Sequence, residues 1–184
     1  MVHIELKRRG ANVHLRSRME PDAVCVAHYD SIPLREWPVA SFIVGIRPDR
    51  PAIPVAHLRI VQNRTAVHSQ RDHMMYHWPQ PGLIPRDPAR GDRIENVVYM
   101  GVAYNLAAEF RSEDFARRVA DLGMRFKMCS EGYCDYCDYR EVDVILAVRP
   151  GTRYDIDLKP ATKLYNAWMA GCPALLSTES AYRE

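Results

Sequence analysis

The chain has 184 residues, 47% of them apolar, and 25 basic against 23 acidic side chains give a formal net charge of +2. This is the make-up of an ordinary globular protein with one medium domain or two small ones, and it excludes bulk attraction to nucleic acid. No apolar run approaches the roughly 18 to 20 residues that cross a bilayer, so no membrane span is expected. The opening MVHIELKRRG lacks the apolar core of a signal peptide, and five cysteines, an odd number, do not read as a disulfide framework. A cytoplasmic protein with free thiols is the expectation. Lysine occurs only at Lys7, Lys127, Lys159 and Lys163; the other positive charges are arginine.

In chain order, Val2 to Arg9 reads as the end of a helix stopped by Gly10. Short apolar runs at Asn12–Leu15, Ala23–Ala27, Ser41–Ile46 and Leu58–Val61 have the length and β-branched content of strands, and RPDRP at 47–51 is a turn. AVCVA at 23–27 is apolar throughout, as in a strand buried on both faces of a parallel sheet. WPQPGLIPRDPARG at 78–91 holds four prolines and two glycines, too many for a helix or strand, and is expected to be an extended connector. The chain then divides into a first α/β region over 1–75, a linker over 76–95 and a second α/β region over 96–184.

The second region reads as alternating strands and helices. Val97–Met100 is a strand ending at Gly101. Ser112 caps a helix running to about Leu122 and closed by Gly123. Met124–Met128 and Val142–Val148 are strands, Pro160–Ala170 is a helix with Gly171 beyond its end, and Pro173–Ser177 is a final strand. This alternation predicts an α/β fold with mostly parallel, Rossmann-like sheets covered by helices.

In such sheets ligands sit beyond the carboxyl ends of the strands. There the order of elements brings Gly101 and Tyr104, then Arg149, the N-terminus of the Pro160 helix, and Thr178, Glu179 and Ser180. Lys159, Lys163 and Asn166 follow i, i+4, i+7 spacing and should share one helix stripe, with Ala161, Leu164, Tyr165 and Trp168 turned to the sheet. A helix N-terminus beside two lysines and an arginine suits a diphosphate, although a solvated lysine face has the same periodicity.

The run VDVILAVRP…KPATKLYNAWMAGCPALLS is similar to the C-terminal, donor-binding domain of GT-B-fold glycosyltransferases, through its Ala-Gly-x-Pro core at 170–173. The resemblance implies a GT-B-like arrangement of two halves, a nucleotide-sugar donor and a hydroxyl acceptor, with no other cofactor. It implies donor or phosphate contacts from Gly101, Arg149, Lys159, Thr162, Lys163, Asn166 and Glu179. Many retaining members carry two glutamates eight residues apart; here Asn166 holds the second position and Leu158, beside Asp157, the first. The chain is also short for that fold, so a truncated member that binds without transferring is the alternative expectation. His28 and Asp30 follow the AVCVA strand, where His28 would act as general base with Asp30 orienting it, unless it is an ordinary surface histidine. Cys129, Cys134 and Cys137 have C-x4-C-x2-C spacing, but the aromatic, acidic loop between them is unlike a cluster-binding loop, so no metal is expected. His68, His73 and His77 lack a carboxylate at ligand spacing and read as packing or acceptor contacts.

Overall fold

The computed structural model describes residues 2–32, 40–129, 136–152 and 156–183. Helix α1, Val2–Arg8, ends at Gly10, whose φ of 78° lies in the left-handed region that a side chain disfavours. Strands β1 (Val24–His28), β2 (Phe42–Ile46), β3 (Leu58–Val61) and β4 (Asp72–Met74) form one parallel sheet in the order β1-β2-β3-β4. The second parallel sheet has the order β6-β5-β7-β8, from β5 (Asn96–Met100), β6 (Arg125–Cys129), β7 (Val144–Ala147) and β8 (Ala174–Leu176). Helix α2 (Glu113–Asp121) connects β5 to β6, and helix α3 (Thr162–Ala170) precedes β8. The chain therefore has the α/β, Rossmann-like architecture that its alternating pattern predicts.

The local signals act as expected at α2, where the Ser112 hydroxyl accepts the Phe115 N–H at 3.2 Å. Asn12–Leu15 forms no strand; no strand among the described residues pairs with it, and Leu15 stays 73% exposed. The three-residue β4 has no apolar pattern. It exists because it pairs with β3 and because buried Asp72 accepts the His68 and Ser69 N–H groups and an ion pair from Arg59.

The second sheet is covered on both faces. On one, Val98, Met100, Ile145 and Ala147 pack against Ala167 and Ala170 of α3 and against Tyr139 and Cys172. On the other, Val97, Tyr99, Val144 and Leu146 pack against Leu106 and Val119 of α2, with Phe110, Phe115 and Phe126 beside them. The first sheet has a smaller core of Ile32, Ile43, Ile53 and Ala56 on one face. The expectation that the AVCVA strand is buried on both faces is corrected: β1 alternates between exposed and half-buried positions.

The proline-rich stretch is extended apart from a short 3-10 turn at Pro88–Arg90, and it packs along the second sheet. Arg86 and Arg90 both ion-pair with buried Asp143 at 2.8 Å, and the same carboxylate accepts the Glu95 and Asn96 N–H groups. The Arg90 hydrogen bond, outweighing the effect of burial, holds the Asp143 carboxyl well below the usual carboxylate range. Fully buried Asn63, after β3, donates to the Lys159 carbonyl and to Ser180 Oγ, both at 3.0 Å, and so ties the first sheet to the segment entering α3.

Cys129, at the carboxyl end of edge strand β6, is disulfide-bonded, whereas Cys25 and Cys172 carry free thiols. The expectation of free thiols throughout fails at Cys129, and with it the argument from thiols to a reducing compartment. Cys134 lies outside the described residues, so the C-x4-C-x2-C unit is not described as a whole. Among the described residues no helix is long and apolar enough to cross a membrane.

Candidate functional site

Strand β5 delivers its carboxyl end into a buried polar cluster. Lys163, in the first turn of α3, turns back toward the sheet and donates from Nζ to the Met100 carbonyl at 2.6 Å. Its ammonium also lies 5.1 Å from the centroid of the Tyr99 ring. Gly101 is what admits it. A Cβ there would stand 2.8 Å from Lys163 Nζ and 2.9 Å from Tyr99 Oη, at a φ of 151° that side chains rarely adopt. Burial, reinforced by the nearby Arg149 charge and opposed by Glu179, brings the Lys163 ammonium down to about 8. Burial likewise pushes the Tyr99 phenol up to about 12; its hydroxyl donates to the Val102 carbonyl at 2.9 Å.

Arg149 leaves the end of β7 with its side chain 12% exposed, and its Nη1 stands 3.6 Å from Glu179 Oε2. Glu179 is buried completely, and its other oxygen accepts from Ser177 Oγ at 2.7 Å. Arg149 and Lys163 together thus bring two positive charges to one buried carboxylate, a local excess that favours an anion. Arg149 also borders an open cavity of about 310 Å³, shared with Lys159, Tyr104 and Asn105.

The i, i+4, i+7 stripe does not act as a unit. Regular helix begins only at Thr162, so Lys159 lies before it and swings to the first sheet, pairing with Asp49 at 2.9 Å. Lys163 turns inward. Asn166 is buried and spent on the proline-rich stretch, where its Oδ1 accepts the Gln80 N–H at 2.8 Å. Trp168, expected against the sheet, is 64% exposed; Ala167 and Ala170 occupy that face instead. Smaller side chains let α3 approach the strands more closely than an indole would permit.

Thr162 Oγ1 lies 3.1 Å from His77 Nε2 and borders a second cavity of about 400 Å³, which His28 also lines. Its walls come from the ends of β1 and β2, from Gln62 after β3, and from the start of α3. His28 Nδ1 accepts the Asp30 N–H at 3.3 Å, capping the short turn at Tyr29–Ser31. The Asp30 carboxylate is 3.5 Å from that same nitrogen and 3.2 Å from Arg50. Because Nδ1 is an acceptor here, the neutral imidazole carries its proton on Nε2.

The chain matches no protein-family model, no curated protein and no solved structure. Its chemistry therefore rests on the two cavities. The candidate residues divide between them: Arg149 and Lys159 border one, His28 and Thr162 the other, and Gly101, Lys163 and Glu179 form the cluster behind Arg149. Among the described residues no group of three or more His, Cys, Asp or Glu is arranged to hold a metal ion. Sequence reasoning missed Tyr99, Asn105, Asp49 and Gln62. Asp49 sits in a turn and Gln62 follows a strand, and neither position carries a local chemical signal.

Proposed function

We propose that the chain is glycosyltransferase-like, binding a nucleotide-sugar donor at the carboxyl edge of the second sheet for transfer to a hydroxyl acceptor. Residues 96–184 would form the donor side, 76–95 the linker and 1–75 the acceptor side. The observation that carries this reading is the pair of cations, Arg149 and Lys159, on the wall of one cavity beyond β7. A diphosphate leaving group needs its developing charge neutralised, and Arg149 beside Glu179 and Lys159 beside Asp49 place two cations on this open cavity where a phosphate can compete with those carboxylates for them. Lys163 acts indirectly, since its ammonium is committed to the Met100 carbonyl and adds to the positive field behind Arg149.

In the transfer, the bond from sugar C1 to the diphosphate oxygen breaks, the acceptor oxygen bonds to C1, and the acceptor proton goes to a base. His28 would need a free lone pair on the cavity side for that role, yet its Nδ1 already accepts the Asp30 N–H. This detail favours the second reading, a nucleotide-binding module that does not transfer. Calorimetry with nucleoside diphosphates tests both. Lys159→Ala is expected to weaken binding by about tenfold or more, the worth of one charge-assisted contact. Unchanged affinity would rule out the phosphate assignment. Transfer of radiolabelled sugar by the intact chain then separates the enzyme from the binding module.

A further inference from the structure

The larger cavity differs in chemistry from the one beyond β7. The Gln62 side chain lines it, and the residue is 5% exposed. Among the described residues its carboxamide has no hydrogen-bond partner. The amide atoms are not sealed off within the protein but open onto the cavity, so their donor and acceptor are available to whatever fills it. His28, on the same wall, offers the Nε2–H left over by its turn-capping role. Trp78, Pro48 and Pro160 also line the cavity and add apolar surface.

The wall carries no unbalanced charge among the described residues. The Asp49 carboxylate is neutralised by Lys159 at 2.9 Å, and burial lowers the His77 pKa, which favours the neutral ring. An anion would find no free cation here, and a wholly apolar molecule would leave Gln62 unpaired. A ring with one C–H face and several hydroxyl groups satisfies both the indole and the amide. The volume of about 400 Å³ falls within the roughly 300–1,000 Å³ of small-ligand sites.

We infer that this cavity, framed by Gln62, His28 and Trp78, is a binding site for a neutral carbohydrate. Resting on the reading above, it is the subsite of the acceptor, whose class is then an uncharged sugar. The Asp49–Lys159 ion pair supports the juxtaposition, because Asp49 borders this cavity and Lys159 borders the cationic one. A hydroxyl bound here would lie across one ion pair from the proposed diphosphate.

The test uses the intact chain with neutral hexoses, N-acetylhexosamines and their disaccharides, followed by saturation-transfer NMR and calorimetry. Wild type is expected to bind at least one of them, with saturation strongest on ring C–H protons. Gln62→Leu, which keeps volume and removes hydrogen bonding, should weaken binding about tenfold without lowering the melting temperature. Should that variant fail to fold, Trp78→Leu is expected to abolish the C–H saturation instead. Failure of every neutral sugar to bind, wild-type affinity in Gln62→Leu, or tighter binding of glucose 6-phosphate than of glucose in this cavity overturns the inference. Nucleoside diphosphates are titrated in parallel. If they bind and the sugars do not, only this site falls; if the sugars bind and they do not, the donor assignment falls and the carbohydrate site stands.

Discussion

AVCVA around β1 and VILA in β7 are both unbroken apolar runs, yet Val24 is 69% exposed and Ile145 only 1%. The cause is position. β7 is flanked by β5 and β8, with α3 and Cys172 on one face and the α2 cluster on the other. β1 is an edge strand with only β2 beside it, and its Cys25 and Ala27 side turns toward the core while Val24 and Val26 face outward. Composition is therefore a poor guide to burial. A strand acquires two covered faces only when the chain supplies elements for both.

The largest expected effect concerns the clamp that fastens the proline-rich stretch to the second sheet. Asp143→Ala strands the Arg86 and Arg90 charges and should cost about 3–5 kcal/mol in urea unfolding. Acid acts on the same group. Because the folded carboxyl titrates below its unfolded value, its contribution is full above the ordinary carboxylate range and is lost as the pH falls through the depressed value.

A matched pair of substitutions sharpens the contrast between sheets. Ile145→Ala in β7 should cost about 2–5 kcal/mol, whereas Val26→Ala in β1 should cost less than about 1 kcal/mol. Equal losses would show that the outer face of β1 is covered in solution.

A pH-dependent effect comes from Lys163. Its folded pKa of about 8 lies below its unfolded one, so its burial penalty is full below about 8 and relieved as the pH rises toward the ordinary lysine value. Wild type should gain roughly 1–2 kcal/mol relative to Lys163→Met between about pH 7.5 and pH 9.5, measured by urea unfolding at each pH. A constant difference between the two proteins would mean that the ammonium is solvated, and that the cluster behind Arg149 is not buried as described.

Much of the fold was legible because its signals are local. Ser112 three residues before an N–H it can cap, Gly10, Gly123 and Gly171 at helix ends, and the short β-branched runs each act through their immediate neighbours. Strand β4 was not legible, since its stability comes from Asp72 and from pairing with β3. The geometry around the candidate residues was not legible in the sequence. Spacing along the helix put Lys159, Lys163 and Asn166 on one stripe, yet they take Asp49, the Met100 carbonyl and Gln80 as separate partners.

By itself the sequence determined the alternation of strands and helices, the parallel character of the sheets and the concentration of cations near the start of α3. Periodicity, capping and β-branched content are properties of neighbours along the chain, and they survive whatever the tertiary arrangement does. The tertiary structure alone decided which apolar faces are covered, that Lys163 is buried against Tyr99 while Lys159 bridges two cavities, and that Gln62 opens onto the larger cavity. Those outcomes depend on residues up to 110 positions apart, as in the Lys159–Asp49 pair, and no pattern along the chain encodes a contact at that separation.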